Sequence, residues 1–312
     1  MPVASSQDVH TPLTIPADGD GVALSASGIG LAALVALGLT VQAQAGAPAG
    51  TAPGRVVSLN LCTDQLAALL LPPGRIAALS HLARDPELSY VASRVAGIPV
   101  TQGGAEELLA LKPDLVLAGR YTAQAAVRMA KAHHIPVVQV GLVADFDGIR
   151  AQVRTVAGAL GESAKGEALL ADMDRRLAAA APADDRRPTA LSLAPGAFTS
   201  GAGTLTAAVM RAAGLVNYPE AKGMSGYGYL TVEGIVADPP DLLVASTGVK
   251  DRPSLSGALI DHPALRRVLP EGHRPRLAEN LLGCGGPYTV EAVEALARAR
   301  GQWLARHDGG RP

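Results

Sequence analysis

Two glutamates, two cysteines and a few aromatics and arginines carry whatever chemistry this chain can do. Glu106 opens the run Glu-Glu-Leu-Leu-Ala-Leu-Lys-Pro-Asp-Leu-Val-Leu-Ala, and Glu233 opens Glu-Gly-Ile-Val-Ala-Asp-Pro-Pro-Asp-Leu-Leu-Val-Ala. Each acid stands seven residues before a Pro-Asp pair, Pro113-Asp114 or Pro240-Asp241. Taken alone, each is a first-turn acid that offsets the positive end of its helix, worth a few tenths of a kcal/mol. Cys62 and Cys284 are the only cysteines. Three roles stay open for them: a disulfide, soft metal ligation with His81, or service as small buried residues. Two cysteines in isolated loops lack metal-site spacing, and a bridge between lobes would restrict hinge motion. Cys284 has no histidine near it in sequence to make it a nucleophile, and Gly283-Cys284-Gly285-Gly286 more simply lets backbone approach a ligand closely. A GxSxG elbow is missing, since 225–227 reads Ser-Gly-Tyr. So are a phosphate-loop motif and a histidine-rich metal set. Catalytic residues and metal ligands are therefore not assigned. The chemistry left is recognition.

The elements that would position these residues follow from pattern. In both copies of the repeat a short apolar helix runs into proline, which removes a donor and clashes with the preceding turn. A continuous apolar run follows, Leu115-Val116-Leu117 or Leu242-Leu243-Val244, as in a strand buried on both faces. Around the first copy lie a strand at 55–60, a helix capped near Thr63-Asp64, a strand at 76–79, a helix over 122–133 and a strand at 137–140. Helices at 146–160 and about 162–181 come next, the second long enough to reach roughly 30 Å. The second half then restarts: strand 189–193, a Gly-rich loop, helix 204–213, the second repeat, a helix near 254–268, a strand at 275–278 and a terminal helix 289–305. Alternation of strand and helix means parallel sheets. The expected fold is α/β, with two Rossmann-like lobes of parallel sheet joined by a single long helix and a ligand cleft between them. The boundaries are an N-terminal lobe at 55–145, helices including the connector at 146–183 and a C-terminal lobe at 184–312. A helical connector is stiffer than strand crossovers, so modest hinge closure is expected.

Bulk numbers agree with two ordinary domains in 312 residues. Hydrophobic content is 48% with only 3% aromatic, so Ala, Leu and Val must build the core. A net charge of −1 without a basic stripe argues against nucleic-acid binding. Residues 28–41 form an uncharged apolar stretch followed by Ala43-Gln44-Ala45, which reads as a cleavable secretory signal over 1–45, though its n-region lacks positive charge. A flexible lead-in occupies 46–54. Location in the periplasm and a monomeric state are expected.

RVVSLNLCTDQ, the two Glu…Pro-Asp units, Phe198-Thr199-Ser200-Gly201 and the helix between lobes together resemble the helical-backbone class of periplasmic substrate-binding proteins. These serve ABC importers for cobalamin and ferric siderophores. The resemblance implies capture of a metal chelate (a cobalamin-type corrinoid, a ferric siderophore or heme) and delivery to an ABC permease dimer in the inner membrane, with no cofactor. It also implies that Glu106 and Glu233 dock onto permease arginines. Two acids at equivalent lobe positions suit a two-fold partner. Glu107 could stand in for Glu106. An extracytoplasmic enzyme, or a sensor or adaptor using the same cleft, are the rival readings.

Ligands of parallel α/β lobes gather beyond the carboxyl ends of the strands. That rule selects Asn60, Cys62, Thr63 and Asp64 after the first strand, His81, Arg84 and Asp85 after the second, and Arg120 and Tyr121 after the Pro-Asp strand. From the second lobe it selects Phe198, Tyr227, Tyr229, Asn280, Cys284 and Tyr288. Phe198 and Tyr227 match positions where cobalamin-binding members of the resembled class set aromatics against the corrin, whereas Gly119 stands where a tryptophan is expected. Gly-Tyr-Gly-Tyr is an aromatic pair that core packing does not require. Arg84 and Arg120 could pair with an anionic ligand or simply be solvated.

Overall fold

A computed structural model describes residues 52–246 and 259–308. The expected signal at 1–45 lies outside them, as do most of the lead-in and residues 254–258 of the expected helix.

The first half forms β1 (Val56–Ser58), α1 (Leu61–Leu70), β2 (Ile76–Ser80), β3 (Val100–Thr101), α2 (Ala105–Ala110), β4 (Leu115–Gly119), α3 (Gln124–Ala132) and β5 (Val137–Val140). Its five strands pair in the order β3-β2-β1-β4-β5, all parallel. Residues 146–180 make two helices, α4 (Phe146–Leu160) and α5 (Ser163–Ala180). Asp145 caps the first by accepting from Gly148 N at 2.7 Å, and Gly161, at φ +73°, ends it in the left-handed conformation that glycine tolerates best.

The second half forms β6 (Thr189–Leu193), β7 (Phe198–Ser200), α6 (Leu205–Ala212), β8 (Val216–Asn217), α7 (Tyr218–Ala221), β9 (Tyr227–Tyr229), α8 (Val232–Ala237), β10 (Leu242–Ser246), α9 (Pro263–Val268), β11 (Arg276–Leu277) and α10 (Val290–Asp308). Four strands make a parallel sheet ordered β11-β10-β6-β8. β7 and β9 stand apart as an antiparallel ribbon, so the start of Phe198-Thr199-Ser200-Gly201, within the expected Gly-rich loop, pairs with the end of Gly-Tyr-Gly-Tyr, Phe198 with Tyr229 and Ser200 with Tyr227.

The repeated Pro-Asp now has a cause. Asp114 accepts from Gly54 N and Arg55 N at 2.7–3.0 Å, and Asp241 accepts from Thr189 N and Thr189 Oγ1 at 2.8 Å. Each aspartate thus ties the start of one central strand to the start of its neighbour, β4 to β1 and β10 to β6. The duplication is a sheet-building device before it is anything else.

One apolar cluster runs through both halves: Val56, Leu70 and Leu117 share it with Val209, Leu242 and Val293, and with Ile149 and Met173 of α4 and α5. Two smaller clusters cover the outer sheet faces, one around Val116 and Leu108, the other around Leu243 and Leu265. Trp303 packs against the shared cluster.

Candidate functional site

α1 begins earlier than its polar residues suggest. Asn60, extended at φ −148°, is the cap, and its side chain accepts from Cys62 N at 3.0 Å. Thr63 and Asp64 therefore fall inside the first turn and are fully buried. Asp64 accepts from Ser80 N at 3.1 Å and from Ser80 Oγ at 2.5 Å, lashing α1 to the end of β2. Burial pushes its carboxyl up to about 7, with the Ser58 and Ser80 hydrogen bonds opposing the rise. Neither residue is free to meet a ligand.

Cys62 and Cys284 form a disulfide with Cα atoms 5.2 Å apart. That overturns the soft-metal role, since both sulfurs are spent on each other, and simple burial is not the whole account either. The bridge links α1 of the first half to the loop before α10 of the second, across 222 positions of sequence.

A cavity of about 280 Å³ opens beside the bridge, and both cysteines line it. From the first half come Gly141, Leu142 and Val143, the segment leaving β5, with Gln152 of α4. From the second come Ser192–Ala194 at the carboxyl end of β6, Phe198 and Tyr227 on the ribbon, and Leu277–Glu279 at the carboxyl end of β11. Phe198 and Tyr227 stack with centroids 5.7 Å apart, and Tyr229 meets Phe198 edge-on at 5.6 Å. The wall they make is aromatic, with offset or edge-to-face geometry of the favoured kind. Among the described residues, the large hydrophobic side chains left exposed are Tyr121, Leu142, Tyr227 and Tyr229, every one on a segment at a strand's carboxyl end or on this ribbon. An apolar surface left open there suits a guest, since exposed patches of this kind mark interaction sites.

Of the expected ligand residues, Cys62, Phe198, Tyr227 and Cys284 line the cavity, and Tyr229 extends their wall. Arg120 lies at the rim, its Nε 3.9 Å from where a β-carbon on Gly141 would stand, with Tyr121 beside it in sequence and exposed. Besides Asn60, Thr63 and Asp64 at the start of α1, five more lie elsewhere. His81 is exposed outside the cavity, Arg84 donates to Ile98 O, and Asp85 accepts from Glu87 N at 2.9 Å. All three follow β2, which sheet order sets on the far side of β1 from β4 and β5. Asn280 donates to Pro86 O at 3.1 Å, and Tyr288 is buried, stacked on Tyr90 at 4.3 Å with its hydroxyl donating to Cys284 O. These last two join the halves instead of facing a ligand. Leu142, Val143, Gln152 and Ser192 were missed. The strand-end rule reaches Leu142 and Val143 once the end of β5 is counted, whereas Ser192 lies within β6 and Gln152 on α4. Gly119 carries no side chain because a β-carbon there would come within 2.7 Å of Asn60 Nδ2 and Thr122 Oγ1.

Glu106 and Glu233 occupy the same place, the second residue of a six-residue helix, and both are exposed. Glu107 is engaged, accepting from Gln102 N at 3.0 Å, whereas Glu106 has no side-chain partner among the described residues. Among the described residues, no three His, Cys, Asp or Glu side chains gather as a metal site, and no helix is long and apolar enough to cross a membrane.

A family model described as "Periplasmic binding protein" matches residues 56–269. A "Cobalamin-binding protein" of Halobacterium salinarum is 26% identical over 255 residues, covering 79% of this chain and 69% of the relative. Among solved structures, the periplasmic heme-binding protein RhuT of Roseiflexus sp. RS-1, in apo form, is 25% identical with a TM-score of 0.64. The alignment covers 78% of this chain and 98% of that one. The periplasmic vitamin B12 binding protein BtuF of Vibrio cholerae shares the fold at 17% identity and a TM-score of 0.61, covering 81% and 98% of the two chains. The chain belongs to the periplasmic binding protein family, whose members bind substrates and do not turn them over.

Proposed function

We propose that this periplasmic binding protein captures a metal-chelate nutrient in its inter-lobe cavity and delivers it to an ABC permease dimer in the inner membrane. The observation that carries the reading is the Phe198–Tyr227–Tyr229 wall, set against Leu142 and Val143 across a cavity between two parallel-sheet halves. A flat macrocycle lies well on such a wall. At 280 Å³ the cavity takes only part of a large chelate, and the exposed rim supports the remainder. Among chelates we favour a cobalamin-type corrinoid, because the curated relative that aligns over most of the chain binds cobalamin. Heme is the second reading, favoured by the likeness to RhuT. Binding free energy comes from burying the guest. Export by a cleavable leader fits a disulfide that persists outside the cytoplasm.

Glu106 and Glu233 are the docking handles in this reading, equivalent in position and without a side-chain partner among the described residues. The deciding experiment is the visible spectrum and mass of whatever copurifies, followed by titration with cyanocobalamin and with hemin. Saturable binding of neither would refute the ligand assignment. Reversal of both acids, Glu106→Arg with Glu233→Arg, should abolish uptake in cells and leave soluble affinity within about twofold, because rim charges act on encounter and register. A parallel loss of affinity would refute the docking role.

A further inference from the structure

We propose that the Cys62–Cys284 bridge, with the contacts around it, holds the cleft at one preset opening, so that both cysteines are positioning residues for the ligand. The inference rests on the reading of the cavity as the ligand site. Both cysteines line that cavity, and the bridge is therefore strap and floor at once.

The bridge does not stand alone. Gln65, one turn along α1 from Cys62, accepts from Tyr90 N at 2.8 Å. The Tyr90 ring stacks on Tyr288 at 4.3 Å and 12°, and Tyr288 donates to Cys284 O at 3.0 Å. From Cys284 the disulfide returns to α1. This closed ring of contacts passes twice between the halves. Tyr90 adds a further link by donating to Glu291 Oε1 at 2.6 Å, and Asn280 reaches Pro86 O. The loop carrying Cys284 also presses on the first half, since a β-carbon on Gly285 would stand 2.0 Å from Val143 Cγ2. Hydrogen bonds near solvent exchange readily for water, whereas a covalent link does not. The bridge therefore sets how far the halves can part at the cavity floor. A cleft already at its working width spares the guest the cost of organising it.

The test compares the oxidised chain with the Cys62→Ser/Cys284→Ser double variant. Thiol titration of the denatured wild-type chain should find no free thiol, and two would overturn the proposal. Small-angle scattering should show a wild-type chain unchanged by cyanocobalamin, and a variant that is wider when empty and compacts on binding. If the loosened variant holds the binding-competent opening about a tenth of the time, its affinity for cyanocobalamin falls about tenfold. A bridge that is only a stabiliser would lower the melting temperature and leave scattering and affinity untouched, which would overturn the proposal. If the variant fails to fold, the same readings are taken on native wild-type chain after dithiothreitol. That dithiol gives up two electrons and two protons, closes its own disulfide and leaves Cys62 and Cys284 as thiols. A wild-type chain that ignores cyanocobalamin sinks the corrinoid reading alone, because amide exchange at 61–65 and 282–286 still decides the bridge. Exchange there should rise at least about tenfold on reduction, and unchanged exchange would overturn the proposal.

Discussion

Asp64 shows how misleading a residue type can be when its depth is unknown. In sequence it is a polar residue beyond a strand, suited to a cap or a ligand contact. In the fold it is fully buried, lashed to Ser80, and its carboxyl is pushed up to about 7 by burial. The unfolded chain ionises this group near 3.8, so between roughly pH 4 and pH 7 the folded state holds a proton that the unfolded state has lost. Stability tied to Asp64 is complete below pH 4, falls as pH rises through that window, and levels off above it. Asp64→Asn keeps the shape and a partner for Ser80 yet cannot ionise. Denaturant melts from pH 4 to pH 8 should show a shallower decline for the variant than for the wild-type chain. Parallel curves would mean that Asp64 ionises in the fold without difficulty.

Asp114 and Asp241 work at the level of elements, each starting two strands together. A hydrogen bond to a charged acceptor contributes about 1.5–3 kcal/mol, and less where water competes. The bonds to Asp114 are exposed and those to Asp241 partly buried. Asp241→Ala should therefore cost more, about 2 kcal/mol against about 1 kcal/mol for Asp114→Ala, measured by denaturant unfolding. An equal or reversed order would show that solvent screening is not what separates them. This repeat also shows what the sequence could disclose. Continuous apolar runs gave β4 and β10, and Glu106 and Glu233 emerged at the same helical position because the spacing to Pro-Asp is the same. Strand order in a sheet leaves no such mark. Without it nothing in the sequence separates the end of β2, where His81, Arg84 and Asp85 lie, from the end of β5, where Leu142 and Val143 line the cavity. The two cysteines were legible as a pair but not as a bridge, because nothing local says which distant loops meet.

At the scale of the whole molecule, the two halves are less separate than a repeat implies. Their inner faces share one apolar cluster, in which Val56 and Leu117 belong with Val209 and Val293. Neither half could unfold without exposing the other's core, so calorimetry should record one transition, and two resolved ones would contradict the shared core. The seam has a point where this can be tested by a single methyl group. A β-carbon on Gly285 would stand 2.0 Å from Val143 Cγ2 and 3.0 Å from Ile149 Cγ1, whereas one on Gly283 would meet only Glu279 O at 3.6 Å. Overpacking of this kind typically costs about 1–3 kcal/mol. Gly285→Ala should lower the melting temperature and weaken ligand binding, since the loop carrying Cys284 must withdraw from the cavity wall. Gly283→Ala, on the same loop with only an ordinary contact at Glu279 O, should leave the melting temperature nearly unchanged. Equal behaviour of the two variants would show that the seam yields freely, and that the spacing of the halves is not set by contact at this loop.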